Sequence, residues 1–327
     1  MATIPIAPGS AGPALASRSL ARRLVSGDQV AHLFTLIFAA SVILITSLLF
    51  YELWINSALS RARFGWAFFY TQNWDPIFEQ FGARPFIYGT MVTSALALLI
   101  AVPLGLGAAI FLAELAPAKI SDALTLVIEL LAAVPSVIYG LLGIFLVVPF
   151  VREILGPALK KTFGFTPLFT GPVYGVSYLT AGLVLAIMVA PYIISVSREV
   201  LLAVPNDQRE AALSLGSTRW EATWKVVVPY ARTGILGSIF LALARALGET
   251  MAVTMVIGNV PKVDFSLLAP GYTIAAVIAN EFSEAAGNLY FSALVELGLV
   301  LFLLTFILNG LARLLIYATT QRGAANP

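Results

Sequence analysis

The chain alternates between long apolar stretches and shorter polar joins. Six stretches are long enough to cross the hydrocarbon core of a bilayer, which needs about 20 mostly apolar residues. They lie at 32–54, 86–113, 123–150, 175–198, 230–258 and 290–317. Strands of a membrane barrel would instead alternate in polarity over about ten residues. The pattern therefore predicts an all-α integral membrane protein with six transmembrane helices.

Composition narrows the class of protein further. Of the 327 residues, 59% are hydrophobic and 11% are charged, and the mean hydropathy is +0.92. Since a soluble domain carries about 25% charged residues, a water-soluble enzyme is excluded. The absence of cysteine and the single histidine, His32, exclude thiolate chemistry and multi-histidine metal sites. A net charge of +2 gives no reason to expect a nucleic-acid partner.

Charge distribution predicts that both termini are cytoplasmic. With the termini inside, the inner joins hold more of the lysines and arginines than the outer joins do. Residues 1–30 then form a cytoplasmic tail, in which 15–25 are either a short basic amphipathic helix or a plain surface segment. Residues 31–85 hold the first span and an external segment, and 319–327 form a cytoplasmic tail. The first span is too long for a cleaved signal and lacks a small-residue cleavage site, so it is retained.

The longest polar join, 199–229, has the pattern of two short helices around a sharp turn. Asp207 and Glu210 have capping-box spacing, which predicts a helix over about 208–215. Gly216 suits a left-handed turn after that helix. Thr218 and Glu221 repeat the spacing and predict a second helix that ends at Pro229.

The first of these helices carries a small apolar patch. Ala211, Ala212 and Leu215 form the patch, and Arg209 and Glu210 border it. Such a surface suits docking into a groove on another protein. An interfacial helical hairpin with no partner is the alternative.

Two charges lie near the middle of the fifth span. An uncompensated charge there costs on the order of 2.5–3.5 kcal/mol, so such residues normally face a bundle interior or a watery cavity. Arg245 and Glu249 are four positions apart, which makes them neighbours in a continuous helix that can neutralise each other. Thr250 and Thr254 add hydroxyls nearby. The alternative is an intrahelical pair that only fixes helix packing.

This pair has the chemistry of an oxyanion selector. A guanidinium binds phosphate through a fork of N–H donors. The hydroxyl of monoprotonated phosphate can donate to a carboxylate, whereas sulfate has no such proton. We therefore expect a substrate pathway for a protonated oxyanion at Arg245, Glu249, Thr250 and Thr254.

Two prolines fall inside predicted spans. Pro135 lies in the third span and Pro191 in the fourth. A mid-helix proline removes a backbone hydrogen bond and kinks the helix, which would shape a cavity or a hinge. A simple packing adjustment is the alternative at either position.

Three segments resemble a known family. Glu210, Ala211, Ala212 and then Gly216, before an apolar run into Pro229, resemble the EAA loop of ABC-importer permeases. Residues 245–252 are similar to the fifth span of phosphate-specific ABC permeases, and residues 133–140 resemble the V-P-S-V-x-x-G segment of the same proteins. The resemblance covers residues 30–320, and within this family the chain is most similar to permease subunits of the PstC type.

The resemblance implies a fold and a set of partners. It implies the type I ABC importer permease fold over 86–318, with 199–229 as a cytoplasmic coupling-helix loop, in a bacterial plasma (inner) membrane. The implied partners are a homologous PstA-type permease, a PstB-type ATPase dimer and an extracytoplasmic PstS-type phosphate-binding protein. The chain itself has no G-x-x-x-x-G-K-[ST] loop, so we expect no cofactor in it, with ATP and Mg on the ATPase subunits.

Two other classes of protein remain as alternatives. An ion-coupled secondary transporter or an anion channel would use Arg245 and Glu249 as a relay or filter, but it gives no reason for the loop at 210–216. A purely structural membrane subunit leaves the two charges in the fifth span unexplained.

Overall fold

The computed structural model describes residues 27–324, with side chains placed for 31–314. The contacts divide the chain into two compact units, and the first unit ends at Glu52. Its described residues belong to α1 (Gly27–Asn56), whose apolar side chains, such as Phe38 and Ile43, are exposed. The predicted helix at 15–25 lies outside the described residues.

The second unit begins with a folded segment between the first two spans, which we call the external segment because the charge distribution predicts it on the outer side of the membrane. Two short helices, α2 (Ala58–Phe64) and α3 (Ala67–Tyr70), are followed by a tight turn in which Asp75 and Gln80 pair through their backbones. Aromatic side chains from this segment pack against those of later helices; for example, the rings of Phe81 and Tyr290 stack with centroids 5.3 Å apart. The segment therefore forms a packed cap rather than a loose loop.

The remaining helices follow one another through short joins. They are α4 (Arg84–Ile110), α5 (Ala118–Ala132), α6 (Ser136–Leu142), α7 (Val148–Phe150), α8 (Gly156–Phe163), α9 (Tyr178–Leu202), α10 (Asn206–Ser214), α11 (Arg219–Ala222), α12 (Val228–Gly248), α13 (Met251–Thr254), α14 (Ile274–Glu281) and α15 (Asn288–Ala324). Single π-helical turns lie at Phe111–Leu115, Gly143–Val147, Val151–Leu155 and Thr223–Val227. Within the described residues, six helical stretches are long and apolar enough to span a membrane, which confirms the predicted all-α fold with six spans.

The core of the second unit is built around α9. Leu185, Val189 and Ile193 are completely buried there, mainly against α4. Gly105 of α4 lies beside Ile193, where a side chain would collide. Small residues at such crossings let transmembrane helices approach closely.

The third span differs from the prediction. It starts at Ser136 and runs to Phe163, not from 123 to 150, because 118–132 form the separate helix α5. Pro135 immediately precedes α6 with φ −58° and ψ 140°, so the prediction of a kink inside a span is wrong at this position. Proline is well suited to a helix start, since it has no N–H to leave unpaired. Pro191 does lie inside α9, as predicted.

The fifth span is also displaced. It runs from Arg219 to Gly248, not from 230 to 258, so the second helix of the coupling loop does not end at Pro229 but continues into the membrane. After Gly248 the backbone becomes extended at Glu249, with ψ 126°. Glycine is a poor helix former, which favours the break at this point. At the other end of the chain, α15 reaches Ala324, past the predicted start of the C-terminal tail at 319.

Candidate translocation site and coupling loop

Arg245 lies in the last turn of α12 and faces an aromatic ring. Its guanidinium carbon is 4.3 Å from the centroid of the Tyr192 ring. Its Nε is buried and has no hydrogen-bond partner. A cation over an aromatic face is stabilised by the ring quadrupole without using its N–H donors. The guanidinium is thus held in place while its donors remain available.

Two tyrosines fix this aromatic surface to helix α5. The hydroxyl of Tyr139 donates to the carbonyl of Leu131 at 2.7 Å, and the hydroxyl of Tyr192 donates to the carbonyl of Ala132 at 2.8 Å. These carbonyls lie at the C-terminal end of α5, where that of Leu131 also accepts a hydrogen bond from the Val134 N–H at 3.2 Å. We call Tyr139 and Tyr192 the aromatic cradle. The hydrophobic pattern gave no sign of this cradle, although Tyr139 falls within the segment that resembles the phosphate permeases.

The predicted ion pair between Arg245 and Glu249 is not formed. No contact within 4.0 Å joins the two side chains among the ion pairs of the described residues. Glu249 instead accepts a hydrogen bond from the Ala252 N–H at 3.2 Å, in the first turn of α13. The pair fails because the helix breaks after Gly248, which removes the i, i+4 geometry on which the prediction depended.

The residues predicted for the pathway nevertheless share one short segment. Arg245, Glu249, Thr250 and Thr254 are all half-buried around the break. The Thr254 hydroxyl donates to the Thr250 carbonyl at 2.7 Å. Asn259, which the sequence analysis missed, donates from Nδ2 to the Thr254 carbonyl at 3.0 Å, and its buried Oδ1 has no partner.

The coupling loop has the predicted turn, but its first helix lacks the predicted side-chain cap. Helix α10 begins at Asn206 after Pro205, and no side chain caps it, so the predicted capping box of Asp207 and Glu210 is wrong. Gly216 has φ +86°, the left-handed conformation that glycine adopts without strain. The capping box of Thr218 and Glu221 is confirmed, with reciprocal hydrogen bonds of 3.3 and 3.0 Å.

The exposed face of α10 contains only part of the predicted apolar patch. Glu210, Ala211 and Leu215 are exposed, and Leu215 has 87% of its surface accessible. Ala212 is buried against the rest of the second unit and is not on this outer face. The exposed face is therefore smaller than predicted and ends at a protruding leucine.

Arg209 points inward and ties α10 to the second span. Its Nη2 is 2.7 Å from Oε1 of Glu114, and the two side chains are only 19% and 10% exposed. Arg209 also donates to the carbonyls of Leu201 and Val204 at 2.7 and 2.5 Å. The prediction that Arg209 borders a docking patch is corrected by this contact with Glu114, which lies in the π-helical turn after α4.

Helix α5 joins this region to the aromatic cradle. Ser121, near its start, donates to the carbonyl of Leu112 at 2.9 Å and accepts a hydrogen bond from Arg198 at 3.2 Å. Leu112 belongs to the same π-helical turn as Glu114. One end of α5 thus contacts the π-helical turn that anchors α10, and the other end holds the tyrosines around Arg245.

Comparison with known proteins agrees with this arrangement of spans and loop. Residues 101–320 match the family model of the binding-protein-dependent transport system inner membrane component. The chain is 45% identical over 308 residues to the phosphate transport system permease protein PstC of Mesorhizobium japonicum, covering 93% of this chain and 94% of that protein. It is 49% identical over 286 residues to PstC of Pasteurella multocida, covering 86% and 89%.

Solved structures show the same fold at low sequence identity. A bacterial alginate ABC transporter matches with a TM-score of 0.55 and 14% identity, over 88% of this chain and 95% of that one. The MetNI methionine ABC transporter matches with a TM-score of 0.54 and 16% identity, over 72% and 96%. The fold is therefore that of a type I ABC importer permease. The chain belongs to the inner membrane components of binding-protein-dependent transport systems, and within that class to the PstC family of phosphate transport permeases.

Proposed function

We propose that this chain is the permease subunit that forms, with a homologous PstA-type subunit, the membrane pathway of an ATP-driven importer for inorganic phosphate. The names of its relatives support phosphate as the substrate. The observation that carries the proposal is Arg245, a cation held by an aromatic ring within a membrane span, with buried Nε left without a hydrogen-bond partner.

Arg245 is the phosphate contact in this proposal. Guanidinium N–H groups bind the oxygens of a tetrahedral oxyanion, and the cation–π contact with Tyr192 occupies none of them. Glu249 follows the helix break, and since one of its oxygens accepts from the Ala252 N–H, its second oxygen can accept a hydrogen bond from monoprotonated phosphate. Thr250 and Thr254 supply polar groups beside it. Because only these few side chains contact phosphate, its affinity stays modest, and a translocation site must be able to release its substrate.

ATP and Mg act on separate PstB-type ATPase subunits, which contact this chain through the exposed face of α10 at Glu210, Ala211 and Leu215. Movement of α10 passes through the Arg209–Glu114 ion pair to the π-helical turn, and from there through α5 to the aromatic cradle. Closure of the ATPases thereby changes the exposure of Arg245. Both termini are cytoplasmic, and a PstS-type protein delivers phosphate from the opposite face.

The test is phosphate uptake by the assembled importer in proteoliposomes. Arg245→Lys keeps the charge but loses the planar fork, and Arg245→Ala loses both. We expect uptake to fall in both variants, more in the alanine, while the complex still assembles and hydrolyses ATP. Lys161→Gln, which removes an exposed cation from α8, is the matched control and should transport like the wild type.

Two outcomes would overturn parts of the proposal. Unchanged uptake in Arg245→Ala would remove Arg245 from the pathway. Phosphate transport by the purified chain without any ATPase would instead favour an ion-coupled secondary transporter.

A further inference from the structure

A cavity of about 380 Å³ lies where α15 meets the external segment, on the side of the spans opposite the coupling loop. Arg61 and Glu296 supply its charged groups, and Trp54 and Trp66 form aromatic walls. Its floor is apolar and includes Leu299 and Leu303, which lie progressively deeper along the sixth span. The cavity thus has a polar end and an apolar end.

Glu296 supplies a buried acid with one unsatisfied oxygen at the polar end. The residue is only 2% exposed, and its Oε2 has no hydrogen-bond partner. A buried carboxyl oxygen without a partner is costly within a membrane span. The proposed phosphate pathway makes no use of Glu296, so its position calls for another partner.

Arg61 supplies the opposite charge. Its guanidinium stacks on the Trp54 ring at 3.7 Å from the centroid, its Nε donates to the Ser57 hydroxyl at 3.0 Å, and its Nη2 donates to the Trp54 carbonyl. These contacts fix the plane of the guanidinium and leave Nη1 without an acceptor among the described side chains. No ion pair within 4.0 Å joins Arg61 to Glu296 in the part of the chain that the structure describes.

A fixed guanidinium and a buried carboxyl in one cavity, not paired with each other, match a headgroup that carries both a phosphate and an ammonium. We propose that this cavity binds a phospholipid with a primary ammonium headgroup, such as phosphatidylethanolamine. The lipid phosphate accepts from Arg61, and the ammonium donates to Oε2 of Glu296. One acyl chain runs along Leu299 and Leu303, and tryptophans are typical at the level of lipid headgroups.

The headgroup chemistry separates this lipid from the other common ones. A quaternary ammonium, as in phosphatidylcholine, has no N–H to donate to Oε2. An anionic lipid such as phosphatidylglycerol offers Arg61 a phosphate but brings no cation to Glu296. The apolar floor separates a lipid from a soluble zwitterion, which would leave the exposed side chain of Leu303 uncovered.

The experiment uses the assembled importer, delipidated in detergent, and measures bound lipid by native mass spectrometry and the melting temperature during lipid titration. The probes are dioleoyl phosphatidylethanolamine, phosphatidylcholine and phosphatidylglycerol, together with soluble glycerophosphoethanolamine. We expect saturable binding and stabilisation with phosphatidylethanolamine. Glu296→Gln and Arg61→Gln should each weaken binding by about tenfold, as expected for loss of a charged hydrogen bond.

Matched controls and a second type of variant keep the test decisive. Arg63→Gln, on the exposed side of the same helix, and Glu153→Gln, an exposed acid, should bind the lipid like the wild type. Leu303→Trp fills the floor without touching either charge and should also abolish binding. Equal binding of all three lipids, wild-type binding by Glu296→Gln, or equal stabilisation by glycerophosphoethanolamine would overturn the proposal.

Discussion

The ion pair between Arg209 and Glu114 makes the coupling route testable by a single substitution. Glu114→Gln keeps the size and shape of the side chain but removes its charge. Removing one partner of a buried ion pair costs about 3–5 kcal/mol. Arg209 keeps its hydrogen bonds to the carbonyls of Leu201 and Val204, so part of the attachment of α10 survives.

The expected loss follows from this geometry. Glu114 and Arg209 are 10% and 19% exposed, so water screens the pair only partly. We therefore expect a loss of about 2 kcal/mol in the attachment of α10 to the second span, which is roughly thirtyfold in the equilibrium between attached and released states. In the proposed coupling route, a released α10 would still contact the ATPase but would no longer move the π-helical turn.

The assay is the ratio of phosphate taken up to ATP hydrolysed in proteoliposomes holding the whole importer. We expect Glu114→Gln to lower that ratio by about tenfold or more, with ATP hydrolysis reduced far less. Lys225→Gln is the control, because it breaks an exposed ion pair in the same loop, and exposed pairs contribute little.

A double-mutant cycle adds an independent measure of the same contact. Glu114→Gln and Arg209→Gln together should cost much less than the sum of the single variants, since both remove one interaction. An unchanged ratio of uptake to hydrolysis in Glu114→Gln, or strictly additive effects in the cycle, would refute the coupling route.

Three further substitutions probe the cradle, the loop turn and a buried tyrosine just before α14. Tyr192→Leu removes the cation–π contact with Arg245, whereas Tyr192→Phe retains it. Since such a contact contributes about 0.5–2 kcal/mol, uptake kinetics should show a several-fold higher KM for phosphate in the leucine variant and a smaller change in the phenylalanine variant. The methyl group of Gly216→Ala meets no neighbouring atom, but the residue must adopt φ +86°. We therefore expect the variant to destabilise the loop by about 1–2 kcal/mol, seen as faster hydrogen exchange of the loop amides. Unaltered exchange would contradict the left-handed turn. Burial raises the pKa of Tyr272 to about 12, above the value of about 10 that tyrosine has in an unfolded chain. The stability that depends on the neutral phenol should therefore be lost as the pH rises from 10 to 12. Tyr272→Phe should flatten the dependence of the melting temperature on pH over this range.

The sequence determined the features that arise from local interactions. Six apolar runs specified six spans because each must cover the membrane by itself. The turn at Gly216 and the capping box of Thr218 and Glu221 could be predicted because the groups that interact there are at most a few residues apart in the sequence. The motifs also identified the family that the comparisons then confirmed.

Only the tertiary structure decided how the charged groups are paired. Arg209 and Glu114 are 95 positions apart, and no periodicity connects them. The expected pairing of Arg245 with Glu249 failed because the helix breaks after Gly248, while the ring that holds Arg245 comes from α9. Pro135 likewise marks a helix start, since the apolar run around it is divided between α5 and the third span. The physical reason is common to all three: hydropathy fixes which segments enter the membrane, but packing between distant helices fixes where each helix breaks and which side chains meet.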